Sequence, residues 1–311
     1  MHNARIFTYT SQNKVNPRLA YIKEKKMELW YTENHTDNIK FSVRVNRQIY
    51  HGVSPFQRLD IFDSPDLGRF FTLDGLMMVA EKDEFIYHDM IVHIPMATNP
   101  GIRKVLVIGG GDGGTVRELC RYKTVEAIDL VEIDRMVVEA SIEHLPFTAC
   151  SLGDSRVSLH YEDGLKYIRS HKDAYDLIIV DSTDPFGPGE GLFTKEFYGN
   201  CWSALRADGI LVNQHESPYY EYFANSMKRA HNRIREFFPV CRVYQAHIPT
   251  YPSGHWLFGF ASKRFDPVSD LDAGRWNALG LETKYYNTEL HTACFMLPNY
   301  VRRMLEDCAN A

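Results

Sequence analysis

The chain lacks most of the features that would fix its class by themselves. No run approaches the roughly 20 apolar residues of a membrane-spanning helix. Met1–Asn16 is polar and has no apolar stretch of the kind a secretory signal needs. The six cysteines, Cys120, Cys150, Cys201, Cys241, Cys294 and Cys308, include no C-x-x-C pair, so they read as buried small residues or free thiols, not staples. Thirteen histidines show no tight metal spacing, and no metal is expected. Basic charge is not in excess: Lys+Arg 35 against Asp+Glu 40 leaves −5, without the long-range positive field that non-specific nucleic-acid binding requires. Repeats and low-complexity tracts are missing too. What is present is ordinary globular composition, 44% hydrophobic and 24% charged over 311 residues, enough for about two domains. The expectation is a folded cytoplasmic protein with neither a nucleic-acid nor a membrane partner.

The pattern along the chain changes twice. Residues 1–26 form a polar extension ending in Lys23-Glu24-Lys25-Lys26, with no period. Residues 27–80 read as a small β domain: Phe41–Val45 and Arg58–Phe62 alternate in and out, and Arg69–Gly75 ends on an Asp-Gly turn signal. That segment is too small for much core and should pack on the larger C-terminal part of the chain. From 81 to 311 the grain is α/β. Phe85, His88, Met90, Ile91 and Ile94 keep helical spacing in a segment closed by Pro95 and Pro100. Lys104–Ile108, Ala127–Val131, Val157–Tyr161, Tyr175–Val180 and Gly209–Asn213 are short apolar strands, and a helix is expected over Thr115–Tyr122. Strands buried on both faces and alternating with helices mean a doubly wound parallel sheet. From about Phe265 a mixture of helix and strand is expected.

Ligands of such sheets lie beyond the carboxyl ends of the strands, and here those ends carry acids. Gly109, Gly111 and Gly114 fit G-x-G-x-x-G between a strand and a helix, and Glu132, twenty residues past Asp112, is placed to accept hydrogen bonds from both hydroxyls of a ribose. Asp112 inside the loop argues against a dinucleotide, because a carboxylate facing phosphate costs about 1 kcal/mol at 4 Å even in water. It favours a nucleoside carrying positive charge. Asp163, in Glu162-Asp163-Gly164, could take a hydrogen bond from an adenine amine, or simply make a turn. Asp181 and Asp184 close the next strand on a loop stiffened by Pro185 and Pro188, and can aim at one point. With Glu132 these acids build a negative pocket suited to a polycation. Tyr87 and Tyr251 are available to line it and to pack on an alkyl ammonium.

Taken together, Pro55-Phe56-Gln57, Leu73-Asp74-Gly75, Asp83–Met90, Gly109–Gly114, Glu132-Ile133-Asp134, Asp163-Gly164, Asp181–Pro185, Gly187-Pro188 and Ile248–Gly254 resemble the spermidine synthase (polyamine aminopropyltransferase) family, collinearly from about Met27 to Arg302. The resemblance implies a Rossmann-like, class I methyltransferase-type domain behind a small N-terminal antiparallel β domain. It implies decarboxylated S-adenosylmethionine as co-substrate, with no separate cofactor, and putrescine or a similar diamine as acceptor, giving spermidine and methylthioadenosine. By motif, Gln57, Glu132, Asp163, Gly164 and Pro188 would hold the donor nucleoside. Tyr87, His88, Asp112, Asp184 and Tyr251 would bind the polyamine or the aminopropyl ammonium, and Asp181 would accept the amine proton. Other members carry Gln where this chain has His88. The family commonly forms homodimers or homotetramers. Three other readings of the same residues are a diamine methyltransferase using intact S-adenosylmethionine, an NAD-dependent oxidoreductase, and a polyamine-binding protein without catalysis.

Overall fold

The computed structural model describes residues 27–183 and 187–307. The polar extension 1–26, Asp184 and Cys308 lie outside them. Six strands come first: β1 (Leu29–Thr36), β2 (Ile39–Val45), β3 (Arg47–Val53), β4 (Arg58–Ser64), β5 (Gly68–Leu73) and β6 (Leu76–Ala80). They form an antiparallel β1–β2 pair and an antiparallel four-stranded sheet in the order β3-β4-β5-β6. The Asp74-Gly75 turn joins β5 to β6 with both residues at positive φ, 50° and 85°, the conformation that a two-residue hairpin of this hand requires. Alternation along the strands then decides the packing. Phe70, Met77 and Ala80 face Tyr31 and Val45 of the two-stranded sheet. Leu59, Ile61, Phe71, Leu73 and Val79 face the opposite way.

The remainder supplies α1 (Glu84–Thr98), β7 (Lys104–Gly109), α2 (Gly114–Cys120), β8 (Ala127–Val131), α3 (Arg135–His144), α4 (Pro146–Ala149), β9 (Val157–His160), α5 (Gly164–Arg169) and β10 (Tyr175–Asp181). After a 3-10 turn over Gly187–Phe193 come α6 (Lys195–Ala204), β11 (Leu205–Gln214), α7 (Glu221–Arg235), β12 (Val240–His247), β13 (His255–Ser262), α8 (Ala273–Asn277), α9 (Thr288–Ala293) and α10 (Asn299–Asp307). The second face of the N-terminal sheet closes on Val137, Ala140 and Leu145, at α3 and just beyond it, so the small domain does borrow its core from the larger one.

Seven strands make the main sheet, ordered β12-β13-β11-β10-β7-β8-β9. Consecutive residues serve opposite faces: Val105, Val107, Leu177 and Ile179 pack toward α1 and α2, while Leu106, Ile108, Ile178 and Val180 pack toward α5 and α6. Each of these is nearly or wholly buried, which is why the strands read as unbroken apolar runs. Truncating one such residue to Ala costs about 2–5 kcal/mol.

Three expectations need correction. The sheet is parallel from β9 to β11, but β13 and β12 run antiparallel at its far edge, because they are joined by a tight loop through Thr250–Gly254 that is too short for a parallel crossover. The segment after Phe265 contains helices and, among the described residues, no strand. Of the two prolines expected to close α1, only Pro100 does: the helix continues past Pro95 for three residues and ends at Asn99, whose N–H returns to the Pro95 carbonyl. A proline so near the C-terminus removes one hydrogen bond without stopping the last turn.

Candidate active site

The strand order reverses between β7 and β10, and at their carboxyl ends Gly109 pairs with Asp181. Backbones crowd at that point: a Cβ on Gly109 would lie 2.2 Å from the Asp181 carbonyl oxygen, and its φ of +79° is one that few other residues adopt. The cavity above this crevice is the ligand position that such sheets favour. All the sequence-predicted site residues line it except Asp184, outside the described residues, and Pro188, whose backbone lies in the 3-10 turn and whose side chain is not described.

Asp181 is held at both oxygens. The Tyr87 hydroxyl on α1 donates to Oδ1 at 2.7 Å, and the Thr115 hydroxyl on α2 donates to Oδ2 at 2.7 Å. Burial and the nearby Asp112 raise its pKa, while His88, Thr115 and Tyr87 pull the other way. Burial also pushes the Tyr87 phenol well above 10, so it stays a donor.

Asp112 accepts from the Gly114 N–H at 2.9 Å and lies 3.4 Å from His88 Nε2. The other ring nitrogen, Nδ1, is 2.6 Å from Glu84 Oε2. Glu84 is in turn gripped by both terminal nitrogens of Arg117, at 2.9 and 3.0 Å. Burial opposes charge on His88, but Asp112 and Glu84 outweigh it and push its pKa to about 10. The ring is therefore an imidazolium at neutral pH, and it offsets Asp112. The pocket is less negative than a count of its acids suggests, and both His88 nitrogens already face carboxylates. Gly114 makes this arrangement possible: a Cβ there would sit 2.2 Å from the His88 ring. The third glycine of the loop thus makes room for a side chain of the protein itself.

The other half of the cavity is built from helix starts. Asp134 caps α3 through the Met136 N–H at 3.0 Å, and its own N–H donates to Glu132 Oε1 at 2.9 Å. Glu132 is buried, which raises its pKa to about 7. Asp163 caps α5 by accepting from the Leu165 N–H at 2.8 Å, so it is both the turn residue and a wall of the cavity. Gln57 reaches in from the loop before β4 and donates its Nε2 to Asp134 Oδ2 at 3.1 Å. Tyr251 contributes its ring, while its hydroxyl donates to the Met78 carbonyl at 2.6 Å.

Several contributors carry no role in the sequence-based reading. Thr115, Arg117 and Asp134 touch the predicted residues directly, and Glu33 of β1 reaches the cavity wall with one oxygen taking the Met77 N–H at 2.9 Å. Two of the contributors left a local trace: Glu84, four residues before His88 on one helix face, and Asp134, at the end of Glu132-Ile133-Asp134.

A doubly wound sheet with an acid-rich crevice at its switch point is the architecture of the Rossmann-like, class I methyltransferase-type proteins. The family of the "Spermine/spermidine synthase domain" matches residues 84–272, and the "Spermidine synthase tetramerisation domain" matches 29–81. The chain is 71% identical over 280 residues to a polyamine aminopropyltransferase of Alkaliphilus oremlandii, covering 90% of this chain and 99% of that one. It is 72% identical over 281 residues to one of Clostridium perfringens, with the same coverage. A solved spermidine synthase in complex with the transition-state analogue AdoDATO superposes with a TM-score of 0.88 at 46% identity, covering 90% of this chain and 96% of that one. The Thermotoga maritima spermidine synthase gives 0.87 at 45% identity, covering 90% and 95%. The chain belongs to the spermine/spermidine synthase family.

Proposed function

We propose that the protein transfers the aminopropyl group of decarboxylated S-adenosylmethionine to putrescine or a related diamine. The observation that carries this is Asp181, clamped by Tyr87 and Thr115 beside Asp112, in the same cavity as the ribose-ready Glu132. Glu132, Gln57, Asp163, Gly164 and Pro188 hold the nucleoside. Asp112, Tyr87, Tyr251 and Asp184 surround the ammonium groups, with His88 behind Asp112.

An alkyl amine has a pKa near that of lysine, about 10.4, and reaches the site protonated; freeing its lone pair at pH 7 costs about 4–5 kcal/mol. The freed nitrogen attacks the carbon beside the sulfonium, the C–S bond breaks, and neutral methylthioadenosine leaves. Asp181 takes the proton. Its raised pKa brings it nearer the working pH, where a general base is most effective. The carboxylates also offset the approach of one cation to another. No cofactor enters this chemistry. The match to a tetramerisation domain supports a homo-oligomer, dimer or tetramer. The free cysteines among the described residues support a cytoplasmic setting, and none of the described helices is long and apolar enough to cross a membrane.

The test is to incubate putrescine with each donor and weigh the product. The decarboxylated donor should add about 57 daltons, whereas a methyl from intact S-adenosylmethionine would add about 14 and favour the methyltransferase reading.

A further inference from the structure

Asp134 is almost completely buried and joins two parts of the cleft that are distant in sequence. Its Oδ1 caps α3. Its Oδ2 accepts from the Ser54 hydroxyl at 2.7 Å and from Gln57 Nε2 at 3.1 Å, across 80 and 77 residues of chain. Ser54 in turn accepts the N–H groups of Phe56 and Gln57 at 3.0 and 3.2 Å, so the whole loop before β4 hangs on this carboxylate. A carboxylate only accepts. The Gln57 atom facing it must therefore be the NH2, and the amide oxygen is left for the cavity that Gln57 lines. Among the described residues Oε1 has no hydrogen-bond donor. On the other side of Asp134, its backbone N–H occupies Glu132 Oε1, and the Gly111 backbone N–H also bears on that carboxylate, which lines the same cavity.

We propose that Asp134 is a positioning residue that sets the polarity of the nucleoside half: by taking the Gln57 NH2 it makes residue 57 an acceptor, so that Gln57 and Glu132 both present oxygen to a ligand rich in hydroxyl and amine donors. This rests on the reading of Gln57 and Glu132 as nucleoside ligands. It goes further by assigning which atom of Gln57 does the work and what chooses it.

The proposal predicts a reversal of sign. Asp134→Asn keeps the side chain's shape. While Oδ1 still caps α3, an NH2 stands where Oδ2 was, and Gln57 has to turn its oxygen to it and its own NH2 into the cavity. Donor then meets donor, and methylthioadenosine, used as the probe in calorimetry on the full chain, should bind at least about tenfold more weakly. Turnover at saturating donor should change by less than about threefold, a KM effect without a kcat effect. Gln57→Glu alone sets two carboxylates face to face and should also weaken binding. Combined with Asp134→Asn, however, the new carboxylate accepts from the amide introduced at position 134 with one oxygen and offers the other to the cavity, so the double variant should return to within about threefold of the parent. Parental affinity in Asp134→Asn, or a double variant no tighter than Asp134→Asn, overturns the proposal; a merely weakened helix cap would lower the melting temperature and would not be rescued from position 57. If the parent failed to transfer an aminopropyl group, the proposed reaction would fall, while the methylthioadenosine cycle would still decide the role of Asp134.

Discussion

The two halves of the cleft use the same residue types in opposite ways. In the nucleoside half, Asp134 and Asp163 each satisfy a helix start with one oxygen, and Glu132 takes a backbone N–H. Each charge has its own backbone donor, yet burial, Asp134 and Asp112 together still raise the pKa of Glu132. In the amine half, Asp112 and Asp181 are close enough to raise the latter's pKa, and an imidazolium fixed by Glu84 and Arg117 stands behind Asp112. On the proposed function, the first half is a set of preorganised acceptors for the neutral nucleoside. The second is a charge balance that a bound ammonium completes. On the proposed function, recognition of shape and recognition of charge occupy one cavity, and Asp112, which also raises the pKa of Glu132, couples the two.

This division breaks most visibly at Asp181. Asp181→Asn keeps the side chain's size but removes the base and turns one accepting oxygen into an NH2, and kcat should fall by about 10²–10⁴, with methylthioadenosine affinity unchanged in a titration. A parallel loss of nucleoside binding would show that the halves are not separate. Gly114→Ala should come next. Its methyl collides with the His88 ring, so α1 or α2 must shift, at about 1–3 kcal/mol of stability in thermal melts, together with a raised KM for the amine. The smallest effect sharpens the nucleoside half. Glu132 has a raised pKa of about 7 in the free protein, and ribose hydroxyls bind its ionised form. Methylthioadenosine should accordingly bind about tenfold more weakly at pH 6 than at pH 8, levelling off above the pKa. The sign follows from the acid having to lose its proton before it can accept two hydrogen bonds. A flat profile would mean that Glu132 is not the ribose ligand.

The same contrast explains how much is legible in the amino-acid sequence alone. Apart from Gln57, which reaches Asp134 across 77 residues, the nucleoside half is written in short contiguous signals: a glycine loop after a strand, an acid at the end of the next strand, an Asp-Gly at a helix start. Local backbone chemistry dictates each of them, so strand ends and caps are readable from 109 to 164. The amine half depends on contacts that no local pattern records. Thr115 reaches Asp181 across 66 residues, Tyr87 does so across 94, and Arg117 reaches Glu84 across 33. The imidazolium state of His88 cannot be read at all, because it arises from carboxylates on two different elements. A negative pocket inferred from counting acids is accordingly overstated. The antiparallel strands β12 and β13 escape sequence reading for a related reason: a buried apolar strand looks the same in either direction, and only the short loop between the two betrays it.

The central claim is that the amine half ranks ligands by charge. Its most direct test is to measure the dissociation constants of decarboxylated and intact S-adenosylmethionine on the parent and on Asp112→Asn. The parent should favour the decarboxylated form by at least about tenfold, since the intact donor brings a carboxylate toward Asp112 and Asp181, and Asp112→Asn should narrow that gap. Equal binding of the two donors by the parent would contradict the account.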